Sequence, residues 1–240
     1  MKGATPEGAR TEQEAADWVR GMFGRVAHRY DLANHLLSFN MDRYWRAVTV
    51  RRVRHILERP DACALDICCG TGDLLLALER QVRATILGSD FCHAMLLAAR
   101  QKSKSAPLFE SDALQLPLRD ASLDLVTVAF GFRNLANYEN GLRELLRVLR
   151  PDGTAAILEF SQPPNRVFAA LNRLYCRNIL PIIGGLLTGQ HDAYRYLPES
   201  VSKFPGAPRL AEDMRRAGFR QVKFEYLTGG NVALHVGTAP

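Results

Sequence analysis

The 240-residue chain has no run of about 18 consecutive apolar residues, the least a membrane-spanning helix needs. No apolar segment of the kind that directs secretion follows Met1, so the expectation is a cytoplasmic protein. Cysteines are few and odd in number, five in all, and Cys63, Cys68 and Cys69 crowd one stretch. That is not a disulfide framework, and without His/Cys ligand spacing no metal is expected. Cys68 and Cys69, read as strand residues, point to opposite faces as small buried side chains. No aromatic-interleaved basic motif accompanies the formal charge of +6, which sets nucleic acid aside as a partner. The 47% of hydrophobic residues suffices for one α/β domain with a well-buried core.

What is present centres on Ala62 to Asp73, ACALDICCGTGD. An apolar run with Asp66 inside it stops at Gly70-Thr71-Gly72 before apolar residues resume at Leu74, the pattern of a buried strand, a tight turn and a helix start. A dinucleotide fingerprint would need glycine at 68 and 73, and those positions hold Cys and Asp. A carboxylate at the helix start repels a pyrophosphate and suits a ligand that carries positive charge, such as S-adenosylmethionine (SAM). Asp90 ends the next apolar run about 20 residues on, where an acceptor for ribose hydroxyls belongs, and Asp112 follows a third. Asp66, Gly70, Thr71, Gly72, Asp90 and Asp112, with Ala113 and Ala129 beside them, are therefore the candidate cofactor residues. This set resembles the class I SAM-dependent methyltransferases. The resemblance implies a Rossmann-like α/β fold, a seven-stranded, mostly parallel sheet with an antiparallel last strand and helices on both faces.

Taken in order, residues 1–10 read as a tail, and a helix from Glu12 carries Ala15, Trp18, Val19, Met22 and Phe23 on one stripe. Tyr30, Asp31 and Asn34 then cluster, which helical periodicity does not explain, and the segment from about 12 to 60 is expected to fold back as a lid. Arg43, Arg46, Arg51, Arg52, Arg54 and Arg59 crowd one helix, either as a solvated face or as a basic surface for anionic lipid headgroups. Strands are expected at 63–68, 84–89, 107–110, 123–130 and 153–160, with helices near 74–81, 92–103 and 138–149. Pro151-Asp152-Gly153 reads as the stop of the last helix. This core spans about 61–162, a cap insertion about 163–205, and a terminal unit with an antiparallel hairpin about 206–240. Within the insertion Phe168, Leu171, Leu174 and Tyr175 mark an amphipathic helix, and Ile179 to Leu187 is apolar but far too short to span a membrane.

Phe130-Gly131-Phe132-Arg133-Asn134 sits where the fourth strand leaves the sheet, in place of the Asn-Pro-Pro-aromatic signature of enzymes that methylate amino groups. Gln162-Pro163-Pro164-Asn165 comes after the fifth strand and does not supply it. This block, with Tyr30 to Asn34, Trp45-Arg46, Glu159-Phe160-Ser161, Tyr194 to Val201, Phe204-Pro205, Leu227 to Gly230 and Ala233-Leu234-His235, resembles the ubiquinone/menaquinone biosynthesis C-methyltransferases over roughly Phe23 to Gly237. The departures are Cys68-Cys69 and Ala33, expected to lie away from the chemistry. The resemblance implies methylation of a ring carbon on a prenylated quinol, either demethylmenaquinol or 2-polyprenyl-6-methoxybenzoquinol, with SAM as co-substrate and no metal. A methyltransferase for another apolar small molecule, and a silent scaffold that binds SAM or quinone, are the competing readings. A ring carbon becomes nucleophilic when the neighbouring hydroxyl loses its proton. Arg133 can hold the phenolate or a water, Asn134 can orient it, and Tyr30 can bond the ring oxygen, so these three are the candidate catalytic residues. The alternative for Arg133 is a surface pair with Glu139 or Asp120. Membrane contact at the inner face, through the basic helix and Ile179 to Leu187, is expected; homodimer formation is left open.

Overall fold

Near-continuous apolar runs give the central strands two buried faces, and helices cover both. In the computed structural model, which describes residues 3–80, 83–175, 178, 189 and 191–240, β1 (Cys63–Ile67), β2 (Thr85–Asp90), β3 (Leu108–Glu110), β4 (Leu123–Ala129) and β5 (Leu149–Phe160) run parallel. β6 (Arg220–Leu227) and β7 (Val232–Thr238) complete a seven-stranded sheet of order β3-β2-β1-β4-β5-β7-β6, with β7 antiparallel to both neighbours. Leu65, Ile67, Val126, Val128, Ala155 and Ile157 point to one side, towards α6 (Tyr138–Val148) and α9 (Ala207–Ala217). Their neighbours Ala64, Leu125, Ala156 and Leu158 point to the other, towards α3 (Met41–Leu57) and α4 (Asp73–Glu79). Strand order reverses between β1 and β4, and the carboxyl ends of those strands open a crevice there.

The amino-terminal helices lie over that crevice. Thr11 caps α1 (Glu12–Val26) by accepting from Glu14 N at 3.1 Å, and buried Ala15, Val19, Met22 and Val26 form the inward stripe. α1 packs on α5 (His93–Lys102) and on α8 (His191–Lys203). α2 (Tyr30–Leu37) follows, and Phe39 and Asn40, both at positive φ, turn the chain into α3. α7 (Arg166–Leu174) begins at Asn165, whose side chain accepts from Val167 N and Phe168 N.

Three local features differ from the sequence reading. β1 ends at Ile67, and Cys68, at φ 49°, already belongs to the turn, so it and Cys69 do not alternate across a strand. Pro151-Asp152-Gly153 lies inside β5, where Asp152 at φ 61° absorbs a register shift against β4. Arg46 is buried instead of joining the basic face of α3. The amphipathic helix expected at Phe168, Leu171 and Leu174 forms as α7, with no buried residue and with Val167, Leu171 and Leu174 exposed. Ile179 to Leu187 lies outside the described residues. No described helix is long and apolar enough to cross a membrane.

The β6–β7 turn uses Gly229 (φ 67°) and Gly230 (φ 97°) because neighbouring chain presses on it: a Cβ on Gly230 would lie 2.6 Å from Pro164 Cδ. Gly230→Ala should destabilise the protein by about 1–3 kcal/mol, read as a lower urea midpoint at unchanged slope.

Candidate active site

Two cavities meet at the crevice. The first is lined by Asp66, Cys68, Cys69, Gly70, Thr71, Asp90, Asp112, Ala113 and Ala129, with Phe23, Tyr30, Arg46 and Asn134. It thus brings together seven of the eight residues expected to hold the cofactor. Gly72 is the eighth and does not line it. At φ 87° it is the N-cap of α4, and a Cβ there would lie 3.2 Å from Ala99 Cβ, so it serves the packing of α4 on α5. Cys68 does reach the wall, contrary to the expectation that it stands clear of the site.

The acids in this cavity differ in environment. Asp66 is buried at the end of β1; Thr127 donates its hydroxyl to Oδ1 at 2.7 Å, while Oδ2 has no partner. Burial pushes its carboxyl up to about 7, with only partial relief from Thr127 and Arg46. Asp90 accepts from Gly70 N at 2.8 Å and Cys92 N at 2.9 Å, so it fixes the glycine turn. Burial also raises it, to about 6. Asp112 is exposed, and its Oδ1 accepts from Leu114 N at 2.9 Å. A buried acceptor with an open lone pair, a glycine turn and two further strand-end acids fit the ammonium and hydroxyl donors of SAM. A pyrophosphate would meet only repulsion.

The second cavity is aromatic and largely apolar. Trp45, Phe130 and Phe160 stand with ring centroids 4.9 to 6.5 Å apart, and Trp45 Nε1 donates to Thr228 Oγ1 at 2.7 Å. Phe39, Phe168, Leu171 and Tyr175 form the outer wall. Tyr30, Arg46 and Phe130 line both cavities.

Arg133 lines the second cavity and not the first. It is buried, and its Nη1 donates to Glu159 Oε1 and Oε2 at 3.0 and 3.2 Å and to Phe130 O. This replaces the surface pair with Glu139 or Asp120. Glu159 also accepts from the backbone N of Arg133 (3.1 Å) and of Phe160 (2.7 Å), while Arg133 Nε is left without a partner. Asn134 Oδ1 accepts from Tyr196 Oη at 3.2 Å. Burial pushes the Tyr196 phenol up to about 12 and raises that of Tyr30, which keeps both as donors at neutral pH. In the sequence Glu159 and Tyr196 stand out only as parts of longer motifs. Their contacts join residues 26 and 62 positions apart, which no local pattern announces.

Arg46 bridges the amino-terminal helices and the glycine turn. It pairs with Asp42 of its own helix and with Asp73 of α4 at 3.4 Å. Lys102 joins Asp73 (2.8 Å) to Asp31, which also accepts from the Thr71 hydroxyl. His35, Asp42 and Asp73 are the one group among the described residues spaced closely enough to share a metal ion, and the Arg46 guanidinium already serves both carboxylates.

A sheet of this order with a glycine-and-acid cavity at its switch point defines the class I SAM methyltransferase fold. Solved structures agree: a SAM-dependent methyltransferase from Thermotoga maritima aligns with a TM-score of 0.66 at 18% identity, covering 92% of this chain and 99% of that one. One from Aquifex aeolicus gives 0.59 at 17%, covering 80% and 89%. Residues 9–239 match the model of the ubiE/COQ5 methyltransferase family, and the chain belongs to that family. It is 48% identical over 224 residues to "Demethylmenaquinone methyltransferase" of Thermus thermophilus, covering 91% of this chain and all of the relative. It is 46% identical over 232 residues to the protein of the same name from Deinococcus radiodurans, with 94% of each covered. The "Ubiquinone/menaquinone biosynthesis C-methyltransferase UbiE" of Geotalea uraniireducens is 39% identical, with 93% and 97% covered.

The raised Asp66 has a signed consequence. Between the ordinary aspartate value of 3.8 and about 7, the folded protein holds a proton that the unfolded chain has lost, so this group's contribution to stability falls as pH rises through that window. A cationic ligand favours the ionised form. SAM affinity should therefore rise from pH 6 to 8, with close to one proton released from this group on binding at pH 6 and almost none at pH 8 in calorimetry across buffers, and Asp66→Asn should remove most of that release.

Proposed function

We propose that the protein transfers a methyl group from SAM to a ring carbon of demethylmenaquinol, giving menaquinol. The observation that carries this reading is the shared wall: a cavity suited to a cationic nucleoside opens, at Tyr30, Arg46 and Phe130, onto an aromatic cavity suited to a flat apolar ring. The names borne by the 48% and 46% identical relatives favour the naphthoquinol over the benzoquinol.

Bound SAM supplies the sulfonium methyl. Asp66, Gly70, Asp90 and Asp112 hold it, and Trp45, Phe130 and Phe160 seat the quinol ring against it, so that two reactants become neighbours before any bond changes. Arg133 acts as an aimed donor more than as a free cation, because Glu159 balances its charge. Its Nε, which has no partner within the protein, is the donor left for the quinol hydroxyl oxygen or a water beside it, and stabilises the anion as the hydroxyl proton passes to water. The ring carbon then takes the methyl, S-adenosylhomocysteine is left, and the displaced ring proton returns to the oxygen to restore the quinol. Tyr30, kept protonated, bonds the other side of that oxygen, and Tyr196 fixes the amide of Asn134. Glu159 already accepts four hydrogen bonds and serves as a positioning residue.

The test is mass spectrometry of quinones after the purified protein meets SAM and chemically reduced demethylmenaquinone. Gain of one methyl group is expected; methylation of the methoxybenzoquinol alone would overturn the choice of ring.

Two variants separate the roles at Arg133. Arg133→Ala strands a buried carboxylate, so it should cost about 3–5 kcal/mol of stability as well as activity. Arg133→Ala with Glu159→Gln should recover most of that stability in a denaturation curve, yet leave kcat down by about 10²–10³. SAM affinity in the double variant should stay within a few-fold, roughly under 1 kcal/mol.

A further inference from the structure

The large apolar side chains that the fold leaves in solvent are not scattered. Leu32, Leu36 and Phe39 recur at helical spacing along α2 and just beyond it, and Val167, Leu171 and Leu174 repeat that spacing along α7; their exposures run from 50% to 75%. The two stripes meet where the Phe39 and Tyr175 rings lie 6.0 Å apart and Tyr175 Oη donates to Leu37 O at 2.9 Å. Phe39, Leu171 and Tyr175 are also the outer wall of the aromatic cavity. The stripes thus form a collar around its mouth.

Charge at the collar has one sign. From Gln162 to Tyr175 and from Leu32 to Met41 the chain contains no Asp or Glu. Arg166 and Arg173 are exposed on α7, and among the described residues neither is in an ion pair. On α3, Arg52 pairs with Glu225 and Arg54 with Glu58, and just past its end Arg59 pairs with Asp61 and Asp124, while Arg43 and Arg51 are exposed and, among the described residues, in no ion pair. A surface helix with an apolar stripe flanked by unbalanced arginines has the build of one that lies in the headgroup layer of an anionic bilayer. A two-fold contact with a second copy would bring these arginines towards their own equivalents, with no acid on either stripe to answer them.

We infer that the collar formed by Leu32, Leu36, Phe39, Val167, Leu171 and Leu174 docks the mouth of the aromatic cavity on an anionic lipid surface, so that a prenylated ring enters without crossing water. This rests on the proposed quinol substrate and names the surface from which that substrate is taken.

Flotation with phosphatidylglycerol vesicles tests it, using the wild-type chain and a variant carrying Leu32→Gln, Leu36→Gln, Val167→Gln and Leu174→Gln. None of these four lines a cavity. Wild-type protein should float with anionic vesicles and weakly with phosphatidylcholine alone, and the variant's partition should fall by roughly tenfold or more. Methylation of a short-tailed, water-soluble demethylmenaquinol should be unchanged in the variant, which certifies its fold, while turnover of long-tailed substrate in vesicles should drop about as much as binding. Equal flotation of both proteins would overturn the inference. So would absence of wild-type flotation alongside a dimer that the variant loses in sedimentation. If the wild type methylates no demethylmenaquinol but floats as described and the variant does not, the quinol reading falls and the collar stands.

Discussion

A buried guanidinium holds the two halves of the site in register. Arg46 lies between the carboxylates of Asp42 and Asp73, its charge is 5.9 Å from the Phe130 ring centre, and it forms wall for both cavities. Burial alone would raise the Asp42 carboxyl, yet the Ser38 hydroxyl and Arg46 hold it below its ordinary value, so the acid stays charged and the cation stays matched. From Asp73 the chain of charge continues through Lys102 and Asp31 to the Thr71 hydroxyl. The amino-terminal helices are thereby tied to the glycine turn by polar contacts, beside the apolar stripe of α1.

The same residue marks the limit of periodicity as a guide. Along α3 five of seventeen positions are Arg, and a basic face is the natural reading. An arginine turned inwards looks identical to one turned outwards until Asp73, on another helix, is seen beside it. The strand-end acids were legible because a parallel sheet writes them locally: an apolar run, an acid, a turn. Glu159 was not, since its meaning depends on Arg133 across neighbouring strand ends. Nor could Pro151-Asp152-Gly153 reveal that its turn would be absorbed into β5 as a bulge.

The two cavities separate two kinds of selectivity. One is lined with acceptors and takes a ligand by charge. The other has aromatic walls suited to a ring by shape and apolar contact, with a few polar side chains, among them Asn34, Ser38, Arg133 and Thr228, set between them. Placing Tyr30 on the rim the cavities share, and balancing Arg133 with Glu159, keeps the apolar cavity free of net charge while leaving hydrogen-bond donors at its inner end.

The turn that carries Cys68 also constrains the loop after β4. A Cβ at Gly131 would stand 2.4 Å from Cys68 Cβ, and Cys68 holds a positive φ. Side-chain volume at one position is therefore bought with its absence at the other, sixty-three positions along the chain. In the history of such sequences these two sites should change together: a lineage that shrinks residue 68 to glycine relieves the contact and frees position 131 to drift, whereas one that keeps a thiol there must keep the glycine.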